Sequence, residues 1–120
     1  MVDPAGSPTD SGKPFRERRA VPRFSLIAAA EIIEPVSGVR ISGRVSEVSR
    51  RGCYIDLLNT LPTQTLIQVR IMRDLGTFET PGKIIYTQEG MGMGVGFFDT
   101  LPDQLKILDS WIGELNDSEV

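Results

Sequence analysis

Three arginines fall within six residues near the start of the chain, at Arg18, Arg19 and Arg23, and a carboxylate, a hydroxyl and a glycine follow at Glu47, Ser49 and Gly52. Guanidinium groups stay charged at any ordinary pH and present a planar fork of donors that fits phosphate or the O6/N7 edge of guanine. A carboxylate can accept from the N1–H and N2–H₂ of the same base, and a hydroxyl can donate or accept. Together these groups suit an anionic ligand with a base edge to read. Pro22 biases Val21 toward extended backbone, which sets the Cα atoms of Arg19 and Arg23 roughly 13 Å apart rather than the about 6 Å of a helical pair. Two forks at that spacing can bracket one compact ligand. Arg18 projects to the other side of an extended backbone from Arg19, available to a second ligand molecule or to stacking on a base. Each cluster taken alone has a plainer reading: a solvated basic stretch in the first case, and a β-turn whose Ser and Gly serve the backbone in the second.

The rest of the composition narrows the chemistry. Histidine is absent, which removes the commonest general base and metal ligand. Cys53 is the only cysteine, so no internal disulfide or thiolate metal cluster can form, and the residue reads as a small buried hydrophobe. No constellation for catalysis and no metal site is apparent. The net charge of -3 conceals an asymmetry: residues 1–51 carry +3 and residues 52–120 carry -6. Ten of the thirteen basic residues are arginine, which favours bidentate contacts with a phosphate or a guanine over simple solvation. A long nucleic acid calls for a basic domain, whereas the pI here is about 4.9, so the expected anion is small. Tyr54, Tyr86 and Phe97 are the candidates for stacking on single-stranded nucleic acid, but their strand positions predict core.

The elements that must hold these groups are mostly strands. At 120 residues the chain has room for one domain. Residues 1–14, rich in Pro, Gly, Ser, Asp and Thr, read as a mobile tail and not as a signal peptide. The domain proper is expected over 15–116, with 117–120 a short C-terminal tail. No apolar run approaches the ~20 residues of a membrane span, and the cytoplasm is the expected location. Phe24–Glu34 reads as a first, bulged strand ending at Pro35, with Ser37-Gly38 as a turn. Val39–Val48 alternates, with Val39, Ile41, Gly43 and Val45 on one face and a wet, basic face opposite. Cys53–Leu57 gives a third strand and Thr65–Met72 a fourth, with Leu66, Gln68, Arg70 and Met72 opposed to Ile67, Val69 and Ile71. Phe78–Gln88 predicts a fifth strand interrupted at Pro81-Gly82, as a bulge or an edge. In the sixth, Gly90–Phe97, glycines occupy one face, and something must pack close against it. Those glycines are no dinucleotide fingerprint, because more strand follows them instead of a helix. Leu101, Leu105, Leu108, Trp111, Ile112 and Leu115 then share one stripe of a terminal helix begun near Pro102.

The order RxxxR (Arg19-Ala20-Val21-Pro22-Arg23) and then ExSxxG (Glu47-Val48-Ser49-Arg50-Arg51-Gly52) resembles the PilZ domain family, whose second motif reads (D/N)xSxxG. The likeness runs from about Arg16 to Leu115 and takes in Gly43-Arg44-Val45, Gly52-Cys53-Tyr54-Ile55 and Gly92-Met93-Gly94-Val95-Gly96-Phe97. It implies an all-β fold: a six-stranded antiparallel Greek-key β-barrel with one C-terminal α-helix. It also implies a receptor, not an enzyme, that binds the bacterial second messenger cyclic di-GMP, often as an intercalated dimer, and needs no cofactor. Carried over, Arg19 and Arg23 would hold phosphates and guanine edges, Arg18 would meet a second nucleotide, Ser49 would reach a guanine or phosphate, and Gly52 would supply backbone room. The implied partners are the nucleotide and a downstream protein that senses a changed surface, with no long nucleic acid and no membrane insertion. Glu47 departs from the family pattern by one methylene, about 1.5 Å of reach. Pairing of Glu47 with a neighbouring arginine is the alternative role, and a PilZ-type interaction module without nucleotide is the alternative function.

Overall fold

The computed structural model describes residues 21–74 and 76–118. Six strands, β1 (Arg23–Glu34), β2 (Val39–Ser49), β3 (Gly52–Asp56), β4 (Leu66–Arg73), β5 (Gly76–Gln88) and β6 (Gly92–Phe97), precede one helix, α1 (Pro102–Ser118). All neighbours pair antiparallel in the order β1-β2-β3-β6-β5-β4, and β1 pairs with β4 to close the barrel. Closure leaves no strand with an unpaired edge. Period-2 apolar patterning drives it. Phe24, Leu26, Ala28, Ala30 and Ile32 of β1 and Ile67, Val69 and Ile71 of β4 all point inward, against Ile55, Phe78, Ile84 and Met93. The first hairpin turns where Gly38 takes φ 77°, with the Glu34 carboxylate accepting from the backbone N–H of Ser37 at 2.8 Å and of Val36 at 3.1 Å.

Two extra residues decide which side chains reach the outer wall of the barrel. In β2, Val45 faces Ile55 but Glu47 faces Tyr54, so Ser46 is a bulge against β3. Without it, strict alternation from Val45 would send Glu47 and Ser49 into the core. The bulge instead makes Val48 the next buried residue and leaves Glu47 and Ser49 on the outer wall. In β5, Ile84 faces Val95 but Tyr86 faces Gly94, so Ile85 is extra. Alternation from Phe78, Thr80 and Ile84 would bury Tyr86, yet Ile85 and Tyr86 are 50% and 40% exposed. A third shift, between Ser25 and Ala28 of β1, lies opposite the first. Bulges of this kind re-aim side chains beside functional sites.

Two expectations need correction here. Strand β5 runs through Pro81, which keeps Gln68 as its cross-strand partner, and the irregularity sits at Ile85. A closed barrel offers Pro81 no edge; its carbonyl still accepts from the Phe98 N–H at 3.2 Å. Leu101 is 63% exposed, not part of the helix stripe. It stands one residue before α1, where its carbonyl accepts from the Gln104 and Leu105 N–H groups, so its backbone caps the helix and its side chain faces out.

The helix packs chiefly on β5 and β1 through Leu108 and Trp111, both buried, with Leu105, Ile112 and Leu115 at the margin. Trp111 meets Phe78 edge-on at 6.4 Å between ring centroids, and the Arg73 guanidinium lies 5.9 Å from the indole centroid. Thr80, a buried polar group, is satisfied by the Thr100 hydroxyl at 2.7 Å. Among the described residues, no helix is long and apolar enough to cross a membrane.

Candidate functional site

Arg23 opens β1 and is the cross-strand partner of Ser49, the last residue of β2, while Glu47 stands opposite Ser25. Pairing alone therefore brings the second arginine of RxxxR to the carboxylate and hydroxyl of ExSxxG. The Arg23 Nη1 donates to Glu47 Oε1 at 3.4 Å, and both side chains are about two-fifths exposed. A long contact between exposed groups contributes about 0–1 kcal/mol and gives way readily to a better-placed anion. Glu47 is thus paired with a neighbouring arginine. Arg18 and Arg19 lie outside the described residues.

The turn after β2 is built by its own side chains. The Ser49 hydroxyl accepts from the Arg51 N–H at 3.2 Å and donates toward the Gly52 carbonyl at 3.4 Å, a serine turn that fixes the loop. Gly52 is required by the next strand: a Cβ there would collide with the Val95 carbonyl oxygen and lie 3.4 Å from the Gly96 Cα. The glycine thus permits close backbone approach, and the backbone approached is β6. The two arginines inside the turn diverge. Arg50 is drawn to α1, donating from Nε to Asp109 Oδ1 at 2.8 Å and from Nη2 to Oδ2 at 3.3 Å. That hydrogen bond holds the Asp109 carboxyl below its usual range. Arg51 faces the other way, exposed, and has no ion-pair partner among the described residues.

Arg23, Glu47, Ser49, Arg51 and Gly52 line one groove of about 190 Å³. Enclosed sites for drug-sized ligands run to roughly 300–1,000 Å³, so the described residues form a wall for a ligand, not a full enclosure. Cys53 and Val95 lie beneath it. Burial pushes the Cys53 thiol up to about 12, so it stays protonated and takes no part as a nucleophile. The remaining wall is Tyr54, Ile85 and Tyr86. The tyrosines are not core, as strand position predicted, but stand outside on the bare face of β6. Tyr54 covers Gly92 and Tyr86 covers Gly94, which answers what packs on that face. Phe97 does pack against the core, 5.3 Å from Phe78 between ring centroids. Tyr86, Tyr54 and Arg51 are the groove residues that sequence reasoning missed; the glycines of β6, each needing a neighbour, were the available signal. Burial foremost, then Tyr86 and Asp56, raise the Tyr54 phenol above its ordinary value, and its hydroxyl donates to Gln88 Oε1. Among the described residues, no group of three or more His, Cys, Asp or Glu side chains is placed to hold a metal.

Against this geometry, the family model described as PilZ domain matches residues 17–114. The fold is similar to the PilZ domain with c-di-GMP of YcgR from Escherichia coli, with a TM-score of 0.71 and 16% identity over 85% of this chain and 94% of that one. It is also similar to YcgR in complex with c-di-GMP from Escherichia coli, with a TM-score of 0.73 and 17% identity over 85% of this chain and 47% of that one. The inhibitor of motility MotI/DgrA of Bacillus subtilis gives a TM-score of 0.67 and 15% identity over 83% of this chain and 52% of that one. The chain thus spans nearly the whole of the separate YcgR domain and about half of the two longer chains. No curated protein matches.

Proposed function

Since the chain belongs to the PilZ domain family, we propose that it is a cyclic di-GMP receptor, working in the cytoplasm by binding and not by catalysis. One observation carries this: Arg23 and Ser49 are cross-strand partners on the outer wall, with Glu47 beside them, so the described parts of both motifs share one groove. In this reading Arg23 exchanges its Glu47 contact for a phosphate or a guanine edge. Glu47, freed, accepts from a guanine N1–H or N2–H₂, and the Ser49 hydroxyl adds a contact from the turn. Gly52 keeps the turn low against β6. In the same reading Arg19 contacts that nucleotide and Arg18 a second one. Binding changes the surface offered to a downstream protein, and the ligand's preference for the bound arrangement is what shifts the population.

Isothermal calorimetry of the whole chain with cyclic di-GMP tests this. Binding in the micromolar range or tighter is expected, and Arg23→Ala should weaken it roughly ten- to hundredfold, the loss of one charge-assisted contact. A folded protein that takes up no nucleotide at about 50 μM contradicts the proposal and leaves the interaction module as the surviving function.

A further inference from the structure

Two tyrosines, Tyr54 and Tyr86, stand on the barrel exterior beside the glycines of β6. The Ile85 bulge turns Tyr86 outward, and its ring then lies across Gly94 so closely that a Cβ there would overlap Cδ1, Cε1 and Cζ. The ring thus packs against the strand beneath, while the residue as a whole stays 40% exposed. Tyr54 borders Gly92, where a Cβ would meet the Ile55 carbonyl oxygen first and then the Tyr54 Cε2 and hydroxyl oxygen, and its ring centroid lies 6.1 Å from that of Tyr86 with the planes inclined by 32°. Its hydroxyl is tied to Gln88. The result is a shelf of two rings, fixed from below by glycine and at one side by a hydrogen bond. It borders the same groove as Arg23, Ser49 and Arg51.

A fixed aromatic surface meets a planar ligand with little further loss of rotamer freedom. Every nucleobase has a π-face that can use it. The charged wall supplies phosphate and edge contacts, and the two rings add an aromatic surface for the flat face of a base. We infer that Tyr86 is the platform on which one purine of the bound nucleotide stacks, with Tyr54 the positioning residue that keeps the Tyr86 ring at its angle. This rests on the groove being the cyclic di-GMP site and adds its base-stacking wall. A shelf that merely covers two glycines would affect folding and leave ligand affinity alone, so the two roles separate by measurement.

The test uses the whole chain, cyclic di-GMP, and the variants Tyr86→Phe and Tyr86→Leu, with thermal midpoints recorded to show that each is folded. Leucine still covers Gly94 but offers no ring. Tyr86→Leu should weaken binding roughly 5- to 150-fold, the range for losing one base stack, while Tyr86→Phe stays within about twofold because stacking needs the ring and not the hydroxyl. In the unaltered protein, the Tyr86 ring protons should shift upfield on saturation while those of the buried Trp111 do not, a readout independent of any variant's folding. Unchanged affinity in a folded Tyr86→Leu, an equal loss in both variants, or unmoved Tyr86 resonances overturns the platform while nucleotide binding by the unaltered protein keeps the receptor function intact. Absence of nucleotide uptake by the unaltered protein overturns both.

Discussion

Gly52→Ala probes the point where the ligand turn and the barrel share one constraint. The added methyl would collide with the Val95 carbonyl oxygen and lie 3.3 Å from the Val95 carbonyl carbon and 3.4 Å from the Gly96 Cα. All three are backbone atoms, so no rotamer change relieves the contact, and β3 must move away from β6 where Gly52 pairs with Gly96. That movement strains the neighbouring bond from the Phe97 N–H to the Arg51 carbonyl, 2.8 Å long. Overpacking of this kind costs about 1–3 kcal/mol, and a domain of this size loses roughly 4–8 °C of melting temperature per kcal/mol. Calorimetric melting should therefore place Gly52→Ala roughly 5–20 °C below the parent, with nucleotide affinity falling as the turn is displaced. Gly113→Ala is the control. A Cβ there meets nothing within 4 Å on the exposed side of α1, and alanine in a helix interior is favoured over glycine by about 0.5–1 kcal/mol, so the midpoint should rise. A Gly52→Ala midpoint within about 2 °C of the parent would refute the reasoning that β6 dictates this glycine.

Trp111→Ala should cost about 3–5 kcal/mol, because the indole is buried against Phe78 and its loss opens a cavity under α1; urea unfolding measures it. Cys53, with its thiol pushed up to about 12 by burial, should resist alkylation at pH 8 in the native protein and react promptly in denaturant. Asp109 has a folded pKa depressed chiefly by its hydrogen bond from Arg50. Its contribution is therefore present above the ordinary value of 3.8 and lost as pH falls through the lower folded value. Asp109→Asn should lower stability modestly at neutral pH, leave it unchanged below the folded pKa, and so flatten the acid limb of a stability–pH curve.

Much of this was legible in the residues. The inward set Ile67, Val69 and Ile71, the terminal helix begun at Pro102 and the bare face of β6 each follow from a period or a glycine pattern. The motif residues that fall within the described chain, Arg23, Glu47, Ser49 and Gly52, meet in one groove. What stayed hidden was parity. A bulge is a single residue with no composition of its own, so neither Ser46 nor Ile85 announces that the next side chain changes face. Pro81 drew attention as the break in β5 because proline cannot donate to a ladder, yet the ladder absorbs it. Tyr86 looked like core for the same reason, since counting by twos from Phe78 reaches it. The glycine at 94 was the compensating clue, since only a large neighbour fills the space it leaves.

The most direct measurement is a heteronuclear shift map of the labelled chain titrated with cyclic di-GMP. Shifts should gather on Arg23, on Glu47 through Tyr54 and on Tyr86, together with residues 18 and 19, and should spare the β4 face around Gln68 and Arg70. Shifts confined to another face of the barrel, or none at saturating nucleotide, would contradict a single groove assembled from both motifs.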